Sequence, residues 1–246
     1  GTGKELVARA IHYNSKRTSE PLICINCGAI PENLLESELF GHERGSFTGA
    51  THAKIGQIKA AGNGTIFLDE IDDLNYCLQV KLLRVLQWGE FTPVGGLKPE
   101  KTSARFIAAS KHDLKSLVAK GSFRDDLYYR LNVLKLSLPA LRERKNDIPA
   151  LCSHFLEKHA RKLSKNKFEI ASAALDALMN YDFPGNIREL ENILQRAIIM
   201  SEQSFVDSEH LPFEIQKKNN GGPHTNSEDV FSGTFKSGKD RTVEEF

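Results

Sequence analysis

The chain has 246 residues, of which 40% are hydrophobic and 26% charged, the balance of an ordinary water-soluble globular protein with one large domain or a domain and a smaller companion. A formal charge of +1 leaves no overall basic footprint, so DNA contact is expected only through a region outside this piece. Four scattered cysteines do not make a secreted disulfide framework, and neither a signal-peptide pattern nor a membrane-length apolar run is seen; the expectation is a cytoplasmic protein without membrane contact.

In chain order, "GTGK" at Gly1–Lys4 leads into a helical pattern over Leu6–Ile11. It reads as the second half of a phosphate-binding loop, in which Gly1, Thr2 and Gly3 present backbone N–H groups and Lys4 reaches the terminal phosphates at a helix N-terminus. Glu5 stands where a Ser or Thr usually supplies a magnesium-ligating hydroxyl, and a Gly turn capping a surface helix is the plain alternative. The start without Met and without a strand before the glycines, and the end in mid-pattern on "RTVEEF", read as a chain cut at both ends.

The run Leu22–Ile25 predicts a strand ending at Asn26. Its Cys24 and Cys27 form a C-x-x-C with neither a second pair nor a helix start, so both read as buried fillers rather than a redox or zinc site. A helix follows over Pro31–Leu39, then "GSFTGA" at Gly45–Ala50, where Phe47 and Thr48 lie between flexible glycines. That placement argues for an aromatic displayed on a loop tip.

"GTIFLDEI" predicts a buried strand over Thr65–Leu68 whose carboxyl end carries Asp69 and Glu70, the position at which open α/β sheets hold ligands. Asp69 would support Mg²⁺, partly through water, and Glu70 would polarise an attacking water; a solvated acidic turn is the alternative. Further elements are a helix over Leu78–Leu86, a strand over Arg105–Ala109, a helix over Leu114–Val118 and a strand over Val133–Leu138. After Asp147 the strand signals stop, and helices read over Ile148–Arg161, Ala171–Met179 and Asn186–Ser201, with Asn186 as N-cap. The division is an α/β core over 1–142, a helical part over 143–215 and a flexible linker over 216–246, rich in Asn, Gly and Ser at its start.

The ordered series GTGKE, GSFTGA, GTIFLDEI, GSFRDDLYYRLNV, LPALRERKNDI and FPGNIRELEN resembles the AAA+ domain of the bacterial enhancer-binding proteins, the NtrC-like activators of sigma-54 RNA polymerase. The likeness runs from Gly1 to about Pro212 and implies a P-loop NTPase core with a parallel sheet, followed by a small all-α lid. It also implies ATP and Mg²⁺ as ligands, a homo-oligomeric, hexameric ring, and the sigma-54 holoenzyme as partner. By the same resemblance Gly45, Ser46, Phe47, Thr48, Gly49 and Ala50 form the loop that touches sigma-54, and Arg124 and Arg130 act on a neighbouring subunit's nucleotide. Arg188 becomes the lid's sensor arginine, and Asn26 matches an asparagine able to hold the catalytic glutamate away from water; as a strand-end amide it is equally a turn residue.

Two positions depart from the family pattern. Ser110 and Lys111 replace a usual Thr-Asn pair, so a cation stands where an amide could orient water; it slows turnover or points outward. Phe183 replaces a frequent Trp. The implied function is ATP-driven remodelling of the closed promoter complex. An ATP-binding scaffold with weak hydrolysis is the alternative, and an AAA+ helicase or loader is disfavoured by the charge and the GSFTGA loop.

Overall fold

The computed structural model describes residues 1–163, 168–201 and 204–217. The elements follow in the order α1 (Lys4–Tyr13), β1 (Leu22–Asn26), α2 (Glu32–Phe40), β2 (Gly41–His42), β3 (Lys54–Ile55), α3 (Gln57–Ala60), β4 (Thr65–Asp69), α4 (Tyr76–Trp88), β5 (Glu90–Phe91), β6 (Glu100–Lys101), β7 (Arg105–Ala108), α5 (Leu114–Ala119), α6 (Asp125–Leu131), α7 (Ile148–Lys162), β8 (Glu169–Ile170), α8 (Ser172–Met179), α9 (Asn186–Met200), β9 (Phe205–Val206) and α10 (Phe213–Lys217). Two compact units emerge, one of Gly1–Asp147 with Asp182–Asn192, the other of Ile148–Tyr181 and the residues from Ile193 onward. Apart from Gln216 and Lys217, which close α10, the expected linker lies outside the described residues.

The first unit is built on a parallel sheet in the order β1-β4-β7. Its central strand β4 is apolar on successive residues because both its faces are covered, and Ile66, Phe67 and Leu68 are all buried. The register places Asn26 beside Asp69 and Leu68 beside Ala108, so the carboxyl ends of three strands open at one edge. Helix α4 is capped by Asn75, whose side chain accepts from the Leu78 N–H at 2.8 Å, and is ended by Gly89 in the left-handed region. It seats Leu78, Leu82 and Val85 in the core with Leu127 of α6. Truncating Leu82 to Ala there removes packing worth about 2–5 kcal/mol.

Two short antiparallel hairpins interrupt this core, β2 with β3 and β5 with β6. Strands of two residues carry too little alternation to be read from sequence. The stretch Val133–Leu138, expected as a strand, forms none: Val133, Leu134 and Leu136 are exposed and no described strand pairs with them. An apolar run becomes a strand only where backbone partners lie alongside it.

The second unit is helical, α8 packing with α7 and with α10, and a two-residue parallel pair joins β8 to β9. Its core includes Cys152, Leu156, Leu178, Leu194 and Ile198. No described helix is long and apolar enough to cross a membrane.

All four cysteines are free. Cys27 and Cys152 are buried as fillers, but Cys24 is exposed, a correction that follows from strand periodicity: Ile25 takes the inward face of β1 and Cys24 the other. Burial pushes the Cys27 thiol up to about 12, the nearby Asp69, Asp73, Glu70 and Asp72 adding to it, and burial alone does the same for Cys152. Iodoacetamide near pH 8 should therefore modify Cys77 and Cys24 well before Cys27 and Cys152, as read by peptide mass spectrometry. Early labelling of Cys27 would contradict this packing of β1.

Candidate functional site

Gly3 adopts φ 96°, a left-handed turn that L side chains rarely enter, and so serves as the N-cap of α1. The turn is tied down on two sides within the first unit. The Gly1 carbonyl accepts from the Ile187 N–H at 3.2 Å, and the Thr2 carbonyl accepts from Arg144 Nη2 at 2.8 Å. A Cβ on Gly1 would lie 2.9 Å from Arg188 Cβ, so Arg188 springs from immediately beside the glycine turn.

The Asn186 side chain does not cap its own helix, as the sequence had led one to expect. Its Oδ1 accepts from the Leu141 N–H at 2.9 Å, while Glu189 Oε2 reaches back to the Gly185 N–H at 2.7 Å and takes over the capping role. Phe183, fully buried at φ 47°, and Asn186, at φ 57°, bend the chain sharply enough to set Arg188 there.

Lys4 Nζ donates to the Ser110 carbonyl at 2.5 Å, joining α1 to the end of β7. Next along the chain, Lys111 Nζ lies 2.6 Å from Glu70 Oε1. Glu70 itself has φ 56° and ψ 46°, the left-handed region in a non-glycine residue, which turns its side chain out of the strand line. Its other carboxylate oxygen rests on Gly28, where a Cβ would come within 2.4 Å of Glu70 Oε2 and 2.5 Å of Asp73 Oδ2. The Asn26 side chain accepts from the Ala29 N–H at 3.0 Å and so closes a turn.

Asp72 anchors the loop that carries Lys111. It accepts from His112 Nδ1 at 2.7 Å and from the Lys111 N–H at 3.3 Å, with only 2% of its side chain exposed. Burial opposes its ionisation, but bonds from His112, Ser110 and the backbone N–H groups of Asp72 and Lys111 prevail and hold its carboxyl below the usual range. The contact with Glu70, outweighing partial desolvation and helped by the Asp73 and Asp72 charges, raises the Lys111 ammonium above its ordinary value.

Asp69 accepts from the Glu70 N–H at 3.0 Å through one oxygen. Glu5 is paired with Arg9 at 2.7 Å along α1. Among the described residues no cluster of three metal-ligating side chains occurs, but a lone hard carboxylate suits Mg²⁺, which keeps most of its waters and takes phosphate oxygens as ligands.

The GSFTGA loop closes on itself: the Gly45 N–H donates to the Ala50 carbonyl at 2.8 Å and the Ala50 N–H to the Phe47 carbonyl at 3.0 Å. Gly45 at φ 80° and Gly49 at φ 102° have open space where a Cβ would stand. Phe47 is 39% exposed, its ring edge-on to His42 at 5.0 Å. The second hairpin supports this loop, since a Cβ on Gly95 would meet Ser46 Cβ at 2.6 Å, and Leu97 at its tip is 98% exposed.

Arg124 precedes α6 as its N-cap residue, so the helix separates it from Arg130 rather than carrying both. It makes two bonds to Asp126, at 2.9 and 2.6 Å, donates to Tyr76 Oη at 2.8 Å and lies 4.9 Å over that ring. Arg130 donates twice to the Leu86 carbonyl. The structure thus brings together Gly1, Thr2, Gly3, Lys4, Asp69, Glu70, Ser110 and Arg188, with Asn26 one strand away. Within the chain Arg124 and Arg130 bond to Asp126, Tyr76 and Leu86, and Glu5 pairs with Arg9. Gly28, Asp72 and His112 escaped the sequence reading; the signal for Gly28 was a glycine two residues beyond a strand end that neighbours an acidic one.

If Asp72 fixes the 110–112 loop, Asp72→Ala should lower stability by about 1–2 kcal/mol, the scale of losing bonds to an enclosed carboxylate. Urea unfolding measures it, and an unchanged midpoint would deny the anchor.

Residues 1–137 match the family described as Sigma-54 interaction domain, and residues 142–228 the family described as AAA+ ATPase lid domain. The chain is 50% identical over 222 residues to nitrogen fixation protein AnfA of Azotobacter vinelandii, covering 90% of this chain and 42% of that protein. It is 49% identical over 217 residues to regulatory protein AtoC of Escherichia coli, covering 88% and 47%. The chain therefore spans less than half the length of these curated relatives. Crystal structures of NtrX from Brucella abortus in complex with ADP and with ATP each superpose with TM-score 0.82 at 35% identity; both cover 93% of this chain, and this chain covers 51% and 50% of theirs. With more than half of its length matched, and its phosphate-type loop, strand-end acids and GSFTGA loop within the match, the chain belongs to the Sigma-54 interaction domain family of AAA+ proteins.

Proposed function

We propose that this chain is the ATP-hydrolysing unit of a sigma-54-dependent transcriptional activator, remodelling the closed polymerase complex so that the promoter opens. The observation that carries the reading is the convergence of the Gly1–Lys4 turn and the strand-end pair Asp69–Glu70 in the same unit as a displayed GSFTGA loop.

In this reading the Gly1–Gly3 backbone and the α1 N-terminus hold the phosphates of ATP, and Lys4 exchanges the Ser110 carbonyl for phosphate oxygen. Asp69 would hold Mg²⁺ through water, and the ion when bound supplies charge neutralisation at the phosphates. Glu70 polarises the water that attacks the terminal phosphorus as the bond to the ADP oxygen breaks. Arg188 and Ser110 lie close enough to Gly1 and Lys4 to sense the nucleotide. Arg124 and Arg130, held by Asp126, Tyr76 and Leu86, serve a neighbouring subunit of a homo-oligomeric ring, hexameric by resemblance, as cations for developing phosphate charge. Phe47 and Thr48 are the contact tip for sigma-54, and DNA is reached through another part of the full protein, in the bacterial cytoplasm.

One observation favours a second reading, a nucleotide-binding scaffold with weak hydrolysis: the Lys111–Glu70 ion pair engages the carboxylate that would act on water. Steady-state phosphate release separates the two.

Glu70→Gln should keep ATP binding and lose turnover by on the order of a hundredfold or more; wild-type turnover in that variant would remove Glu70 from the chemistry. Lys4→Ala should weaken nucleotide binding itself. Phe47→Ala should leave melting temperature and ATP turnover near wild type while abolishing sigma-54 binding in the presence of ADP and aluminium fluoride. A parallel loss of stability and turnover in that variant would make Phe47 a packing residue.

A further inference from the structure

The carboxylate of Glu70 is engaged through one oxygen and packed against Gly28 at the other. Oε1 meets the Lys111 ammonium at 2.6 Å, and Oε2 lies against Gly28 so closely that a methyl group there would stand 2.4 Å away. The backbone of Lys111 is not free to drift, because Asp72 accepts from its N–H and from the ring of His112. The ammonium, by contrast, ends a flexible four-carbon stem that is 55% exposed, against 18% for Glu70. One partner is therefore fixed in a pocket and the other can leave it.

An oxygen engaged by an ammonium is a poorer acceptor for a water proton, and the left-handed backbone of Glu70 restricts its choice of other positions. Turnover then scales with the fraction of time that the pair is open, as for any site whose competent form is one of two. We propose that Lys111 is a positioning residue that restrains Glu70 and sets the basal rate of hydrolysis. This rests on the ATPase reading given above. It differs from a role for Lys111 as a phosphate ligand, because the restraint acts on the carboxylate and leaves the nucleotide's own contacts, Gly1–Lys4, intact.

The test uses the full-length protein and measures both steady-state phosphate release and the affinity for a fluorescent, non-hydrolysable ATP analogue. Lys111→Ala should raise kcat roughly two- to fivefold, the bias that a half-exposed ion pair exerts on its equilibrium. Analogue affinity should stay within about twofold, since the ammonium removed is bonded to Glu70 and only its screened charge reaches Gly1. Lys111→Arg should return kcat to wild type by restoring the cation, and Glu70→Gln combined with Lys111→Ala should show no gain over Glu70→Gln alone. An unchanged or lower kcat in Lys111→Ala overturns the restraint, as does a gain that persists in the double variant. A tenfold loss of analogue affinity without a gain in kcat would make Lys111 a phosphate ligand and also overturns it. Wild-type turnover that Glu70→Gln leaves intact removes Glu70 from the chemistry instead, which identifies the ATPase assignment as the part that failed.

Discussion

The parallel register of β1, β4 and β7 is the constraint on which the rest depends. Pairing Asn26 with Asp69 and Leu68 with Ala108 leaves three strands ending together, so the residues that follow them must share one edge. Gly28 follows the first strand, Asp69 and Glu70 end the second, and Ser110 and Lys111 follow the third. Because parallel strands are joined by crossovers, each arrival at this edge is a separate piece of chain, and the site is assembled from segments some forty residues apart. A one-residue slip of β4 would exchange its two faces and carry Asp69 away from Lys4. Both faces of β4 are buried, so what opposes this is the fit of unequal side chains, Phe67 on one face and Ile66 and Leu68 on the other, in a close-packed core.

The same edge leads directly to the displayed loop. From Gly28, which touches Glu70, the chain enters α2 at Glu32, and α2 delivers it to Gly41 at the base of the first hairpin. That base is tight: a Cβ on Gly56 would stand 2.3 Å from the Gly41 nitrogen, so only glycine lets the two strands close. Ion pairs from Glu36 to Lys81 and from Glu38 to Lys54 at 2.5 Å fix α2 between α4 and the hairpin. One short helix thus separates the neighbour of Glu70 from the loop that carries Phe47.

The buried strands and long helices were legible because each repeats one period over enough residues to overrule chance. Thr65–Leu68, the α4 face of Leu78, Leu82 and Val85, and the helices from Ile148 onward are such segments. Elements of two residues were not legible, since backbone pairing makes them and the side chains do not. Val133–Leu138 shows the converse: an apolar run without a neighbouring strand stays irregular and exposed. At the site, the residues named by motif, Gly1–Lys4 and Asp69–Glu70, meet. The misses were relational. Asp72 owes its role to His112 forty residues on, and Gly28 to a carboxylate on another strand, and neither relation has a local signature.

The distribution of cations bears on how the chemistry is shared. Lys4, Lys111 and Arg188 stand at the strand-end edge and the glycine turn, each from a different part of the first unit. Arg124 and Arg130 lie at the two ends of α6, and their guanidinium groups are occupied by Asp126, Tyr76 and a backbone carbonyl. Arginine is suited to such parking, because its planar fork stays charged and can trade a bidentate carboxylate for a phosphate of similar geometry. If a neighbouring nucleotide is what displaces Asp126, ring formation and phosphate charge become two demands on the same side chain. Hydrolysis would then register assembly without any further device, while Lys111 acts on Glu70 within the subunit. Under the proposed function the two controls would fall on opposite sides of the reaction, one on the water and one on the phosphate, and so could be set independently.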